Sequence, residues 1–239
     1  MTAVVFDVGE TLVDETHAWE RLADAARVPR FTLMGLLGGL AARGEPHRRV
    51  WDLLGVEAPA DPGSPGGSDF YDDALPCLGA LRSAGYRLGA AGNMPASFEQ
   101  ALQAHVDFTG SSQRWGVEKP DPAFFARVIA EAGEPSERIA YVGDRVDNDV
   151  IPAREAGMLA VHIRRGPWGL LHDPPAGTRQ IESLDELPEL LRDLRGGTQG
   201  SPVDPLLHDS APSGTRSGCA RATPGSAPET ASPGEAPDG

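Results

Sequence analysis

Val4-Val5-Phe6-Asp7-Val8-Gly9-Glu10-Thr11-Leu12 stands near the start of the chain, and its reading decides the fold. Ala3–Phe6 is a short apolar, β-branched run, which predicts a buried strand. The run stops at Asp7, and Gly9 supplies a turn directly after it. In an open α/β sheet, ligands bind beyond the carboxyl ends of the strands. Asp7 therefore sits where a carboxylate can serve as a nucleophile or as a hard ligand for a cation. Taken alone, the stretch fits equally well a turn aspartate that bonds its own backbone.

The rest of the chain narrows the choice. Its 239 residues suit one domain of ordinary size with an insert or a tail. A net charge of -14 argues against nucleic acid or an anionic membrane as partner, but not against a small anionic substrate. The two cysteines, Cys77 and Cys219, make no disulfide framework or zinc site, and a reduced, cytoplasmic setting is expected. The longest apolar stretch, around Leu33–Ala42, is too short to span a bilayer.

Helical spacing follows at Val13–Val28, with Thr16 as its cap and Trp19, Leu22, Ala23 and Ala26 on one face. It recurs at Phe31–Arg43, where Phe31, Met34, Leu37 and Leu40 fall in register, and at His47–Leu54, which puts Trp51 in the same small core. These helices predict a module over residues 14–70 that interrupts the α/β pattern and can close over Asp7 as a lid. Helices are then expected at Tyr71–Ala84, Pro95–Ala104, Pro122–Ala132, Asp149–Ala156 and Leu184–Leu194, and strands at Tyr86–Ala91, Val106–Thr109, Ile139–Val142 and Leu159–Ile163. Gly110–Pro120 and Arg164–Gly169 read as loops, with Trp168 packing rather than binding. The alternation predicts an α/β fold, a doubly wound parallel (Rossmann-like) sheet with a small helical cap inserted after the first strand. The expected division is 1–13 and 71–195 for the core, 14–70 for the cap, and 196–239 for a disordered tail rich in Pro, Gly and Ser.

Acids recur at strand ends: Asp7, then Gly143-Asp144-Arg145-Val146-Asp147-Asn148-Asp149, with Asn93 at a third strand end and Lys119 just before a helix. Carboxylates that converge repel one another and call for a cation, and oxygen donors without clustered His or Cys favour magnesium. A cation, a lysine and an amide beside a nucleophilic carboxylate describe a phosphoryl-transfer site. Over residues 3–165 the sequence resembles the haloacid dehalogenase-like (HAD) hydrolases. Their first motif, Asp-x-Asp-x-Thr, falls on Asp7–Thr11; the second on Gly92-Asn93; the third, Lys-Pro-x-Pro, on Lys119–Pro122; the fourth on Gly143, Asp144, Asn148 and Asp149. The resemblance implies that Asp7 attacks phosphorus and that Asp7, the Gly9 carbonyl and Asp144 hold Mg2+. Asp149 would hold a metal-bound water or orient Lys119, which neutralises the phosphoryl oxygens. It also implies substrate contacts from Gly92, Thr11, Arg145 and the backbone and amide of Asn93. The substrate would be a small phosphorylated metabolite.

Two departures from the family pattern stand out. The second Asp, the family's general acid, is Gly9 here, a loss worth roughly 10²–10⁴-fold in rate unless another residue replaces it. Glu10, Asp14, Glu15 and His17 are the nearby candidates. Gly92 replaces a hydroxyl residue, which removes one phosphate hydrogen bond. Metal-independent dehalogenation, and a member that binds a ligand without turnover, are the alternatives.

Overall fold

In the computed structural model, residues 1–59 and 63–196 are described. The tail expected beyond residue 196, with Cys219, lies outside the described residues. A six-stranded sheet in the order β3-β2-β1-β4-β5-β6 forms the centre, from β1 (Ala3–Phe6), β2 (Arg87–Gly92), β3 (Phe108–Ser111), β4 (Ile139–Gly143), β5 (Leu159–Ile163) and β6 (Arg179–Ile181). Every pairing is parallel. The helices are α1 (Thr16–Ala26), α2 (Arg30–Ala42), α3 (Val50–Leu54), α4 (Ala74–Ser83), α5 (Phe98–Gln103), α6 (Ser112–Trp115), α7 (Pro122–Ala132), α8 (Ile151–Glu155), α9 (Gly166–Leu171) and α10 (Leu187–Gly196).

β1 explains the layering. Its four residues are all buried, and alternate side chains point to opposite faces. Val4 and Phe6 join Leu78, Leu81, Leu88 and Leu191 on one side of the sheet. Ala3 and Val5 join Phe124, Phe125, Val128 and Tyr141 on the other. A strand covered on both faces reads as a continuous apolar run, which is how Ala3–Phe6 announces itself. The strand order reverses direction between β1 and β4, where Phe6 pairs with Val142 and Asp7 N–H donates to Val142 O at 2.8 Å. A doubly wound sheet opens its ligand crevice at that switch point.

Helices α1, α2 and α3 bury an apolar cluster of their own: Ala23, Leu33, Leu37, Leu40, Ala41, Val50 and Trp51, joined by Trp168 of α9. His172, just after α9, meets the Ala41 carbonyl at 2.7 Å.

Several expectations need correction. Phe31 is not core: it is 90% exposed, and the buried stripe of α2 is Leu33, Leu37, Leu40 and Ala41. Thr16 does not cap α1; Asp14 Oδ1 accepts from Thr16 N–H at 2.8 Å instead. Arg164–Gly169 is not simply a loop, because α9 begins at Gly166 with Pro167 in its first turn, where proline is tolerated. The supposed loop after Thr109 holds the end of β3 and all of α6. The helix expected at Asp149 starts with a wide π turn over Val146–Val150 before α8. β6 was not foreseen. Among the described residues, no helix is long and apolar enough to cross a membrane.

Candidate active site

The turns after β1 and β4 and the loop before α7 converge on one buried cluster. Lys119, itself 4% exposed, reaches Asp7 Oδ1 at 2.6 Å and Asp149 Oδ1 at 2.5 Å. Asp7, Asp144 and Asp149 are buried and each offers a carboxylate oxygen within 4.8 Å of the others. Two glycines make this proximity possible. A Cβ at Gly143 would lie 2.5 Å from Asp149 Cγ, and one at Gly92 would lie 2.7 Å from Asp7 Oδ1. The glycine in place of the family's hydroxyl residue therefore leaves room for the Asp7 carboxylate against the end of β2.

Three carboxylates against one ammonium leave an excess of negative charge in a region poor in water. Burial, then Asp149 and Asp7, push the Asp144 carboxyl well above the usual carboxylate range. Burial and Asp7 raise Asp149 as well. Burial alone would lower the Lys119 ammonium, but Asp149 and Asp7 outweigh it and hold the group protonated. All the donors are hard oxygens, so the cluster could hold a divalent cation.

Neighbours fix each member in place. The Asn93 amide clamps the backbone of Lys119 from both sides: its Nδ2 donates to Lys119 O at 2.9 Å, and its Oδ1 accepts from Lys119 N–H at 2.7 Å. An amide nitrogen carries two N–H groups, so this clamp uses one of them and leaves the other for the cavity that Asn93 borders. Asp149 Oδ2 accepts from Arg145 N–H at 3.0 Å. Behind Asp144, fully buried His162 bonds the Asp144 carbonyl through Nε2 at 2.9 Å, while Gln180 Nε2 lies 3.2 Å from its Nδ1. The Gln180 amide donates to Nδ1, so Nε2 carries the proton and donates to the carbonyl. Thr11 does not reach the site. It is fully buried outside the cavity, and its hydroxyl has no partner among the described residues. Arg145 does line the cavity, but its guanidinium is paired with Asp147 at 2.7 Å and lies 5.0 Å over the Trp168 ring.

The structure also separates the four acids considered as substitutes for the missing one. Glu10 is occupied: Tyr71 OH donates to its Oε2 at 2.6 Å and Glu15 N–H to its Oε1 at 3.1 Å. Asp14 Oδ1 accepts from Thr16 N–H at the start of α1, and His17, largely exposed, pairs with Asp69 at 3.0 Å. Glu15 remains. A Cβ at Gly9 would sit 2.5 Å from Glu15 Oε1, so this carboxyl occupies the space that a side chain at position 9 would claim. Trp19 Nε1 donates to its other oxygen at 3.3 Å. Burial first, then the charge of Glu10, raises Glu15 to about 7, which suits an acid at neutral pH.

Above the cluster lies a cavity of about 630 Å³ bordered by Asp7, Gly9, Glu15, Gly92, Asn93, Lys119, Asp144 and Arg145. Its upper wall comes from α1, α2, His47 and α9. The sequence predicts a lid over Asp7 from residues 14–70, but Trp19 and Trp168 read there only as packing.

Known proteins bear on this geometry. A glyceraldehyde 3-phosphate phosphatase of Methanopyrus kandleri is 33% identical over 133 residues, covering 52% of this chain and 57% of that protein. The chain thus spans little more than half the length of that curated relative. Among solved structures, a HAD phosphatase from Thermococcus onnurineus matches with a TM-score of 0.56 at 22% identity, covering 80% of this chain and 98% of its own. The L-2-haloacid dehalogenase from Xanthobacter autotrophicus matches with a TM-score of 0.56 at 20% identity, again over 80% of this chain and 98% of its own. These structural likenesses speak for the fold alone. The profile of the haloacid dehalogenase-like hydrolases matches residues 1–157, and the chain belongs to that family.

Proposed function

We propose that this protein hydrolyses small phosphate monoesters in a reaction that depends on a divalent cation, magnesium by its donor set, with the phosphoryl group carried on Asp7. The observation that carries the reading is the bridge of Lys119 between Asp7 and Asp149, with Asp144 beside them, at the switch point of the sheet. The phosphatase named among the relatives supports phosphoryl over halide chemistry.

Asp7 and Asp144, with the Gly9 carbonyl, would hold the cation, and Asp149 serves to hold Lys119. Bound there, the ion would neutralise charge on the phosphoryl oxygens. In the first step an Asp7 carboxylate oxygen attacks phosphorus, the ester P–O bond breaks, and the leaving oxygen takes the Glu15 proton. In the second step the Glu15 carboxylate takes a proton from water. The water oxygen attacks phosphorus and breaks the bond to Asp7, inorganic phosphate departs, and Glu15 is again protonated. Lys119 faces the same negative charge throughout, so it needs no rearrangement between steps. Residues 14–70 act as the cap over the core of residues 1–13 and 71–195, and supply the surface that sorts substrates.

The test is release of phosphate from an aryl phosphate with magnesium, with EDTA, and with Asp7→Asn. Magnesium-dependent turnover that disappears in the variant is expected. Halide release from chloroacids without metal contradicts it in favour of a dehalogenase. Neither activity in a folded protein leaves a ligand-binding member.

A further inference from the structure

The cavity holds far more than a phosphoryl group. Its volume, about 630 Å³, is in the range that encloses a drug-sized molecule. Charge is densest on its floor, and Asp14, Arg21 and Asp69 also border it. Around the floor stand Trp19 and Leu22 of α1, Met34 of α2, Met94 and Phe98 near the end of β2, and Trp168 of α9.

The aromatic part is continuous. The Trp19 and His47 rings lie 5.8 Å apart and those of His47 and Trp168 6.3 Å apart, both edge to face. Trp51 stacks behind Trp19 at 6.5 Å. His47 does not break the apolar character. Burial, then Arg145 and Arg48, lower it to about 4, so its ring is neutral at pH 7. A short polyhydroxy phosphate would leave this wall in contact with water and bring hydroxyls that find few partners on it. An apolar body would displace that water and gain from the area it covers.

We propose that the substrate is a phosphate monoester of a bulky apolar alcohol, with its phosphoryl group on the acidic floor and its body against Trp19 and Trp168. This rests on the phosphatase reading and adds the class of alcohol. The closure of the wall by α9 gives the class a physical basis. Trp168 packs into the helical cluster of the cap while it borders the cavity, so the apolar surface continues across the seam between cap and core.

The experiment is steady-state kinetics with magnesium on n-alkyl monophosphates from ethyl to octyl. The leaving oxygen is nearly constant in this series while the body grows. KM should fall about fourfold for each added methylene until the cavity is full, the ratio expected for a buried CH₂, with little change in kcat. n-Octyl phosphate should exceed glyceraldehyde 3-phosphate in kcat/KM by about 100-fold or more, since several such increments add. Trp19→Ala and, separately, Leu22→Asn should flatten the dependence on length, with thermal melts showing that each variant is folded. A KM independent of chain length, or a preference for the triose phosphate, overturns the inference and leaves the phosphatase intact. Phosphate release from none of these esters overturns both.

Discussion

The floor and the wall of the cavity come from different stretches of chain and follow opposite rules. The floor is made of residues in the turns beyond the strand ends, Asp7, Asp144 and Asp149, all buried and sharing the counter-charge of Lys119. The wall is made of helical side chains, Trp19, Leu22, Met34 and Trp168, held by packing in which no single partner is obligatory. The floor should therefore fail abruptly when one member changes, whereas the wall should yield by degrees.

The largest difference is expected at the join between them. Glu15 belongs to the approach to α1 but reaches the place left empty at Gly9. Glu15→Gln keeps the acceptor for Trp19 and removes the proton. It should slow alkyl phosphates by about 10²–10⁴-fold and aryl phosphates, whose leaving group needs no proton, far less. Gly9→Asp alone collides with Glu15, while Gly9→Asp with Glu15→Ala should recover the alkyl rate. Equal losses for both kinds of ester would show that Glu15 is no proton donor.

Lys119→Met probes the floor by itself. The change leaves Asp7 and Asp149 buried and facing one another without a counter-charge. Removing one partner of a buried ion pair costs about 3–5 kcal/mol, and denaturant melts of the metal-free protein at pH 7 should read it. An unchanged melt would mean that the cluster is more hydrated than its burial indicates.

The dependence of stability on pH sharpens the same point. Glu15 is raised from about 4.5 to about 7, and Asp144 and Asp149 are raised as well. Between these limits the folded chain holds protons that the unfolded chain has released. The resulting stability is complete below the unfolded pKa and is lost as pH rises through the folded one, by about 1.4 kcal/mol per pH unit for each proton. His47 and His162, whose folded values are lowered, oppose this trend up to about pH 6.5, so metal-free protein should weaken most clearly from there to pH 8, and magnesium should offset the loss by binding the folded state. Urea melts with EDTA and with magnesium provide the comparison. A rise in stability over this range without metal would contradict the assignment.

In the helical module the contrast lies within α2. Leu37→Ala should cost about 2–5 kcal/mol as a buried deletion, whereas Phe31→Ser should stay within about 0.5 kcal/mol because Phe31 is exposed. Comparable losses would restore Phe31 to the core.

Much of the floor was legible in the sequence because its chemistry is bound to local signals. An apolar run must end where the sheet ends, and the acid that follows it has little choice of position. Asp7 and Asp144 could be read that way, and Lys119 and Asp149 through the motifs of the resembling family. The wall carried no such signal. Gly35, Gly38 and Gly39 leave α2 apolar around much of its circumference, so Phe31 and Leu33 compete for the inward face on periodicity alone. Gly166, Pro167 and Gly169 read as breakers, although a proline in the first turn starts a helix as readily as it ends one. β6 is three residues long with two of them exposed, too little for an alternating pattern. Glu15 could not be told from Glu10, Asp14 or His17, because the choice depends on which carboxyl fits beside a missing side chain. The clamp by Asn93 was hidden for a similar reason: a residue at a strand end can face the ligand or the chain, and only the fold decides.

The account turns on Asp7 as the atom that receives phosphorus. Mass spectrometry of protein mixed with an aryl phosphate and magnesium, then quenched in acid within a turnover, tests this most directly. The account predicts the added mass of one phosphoryl group on the peptide that contains Asp7, absent with EDTA and absent in Asp7→Asn. Turnover of the ester with that peptide unmodified at every time, or with equal turnover in Asp7→Asn, would contradict it.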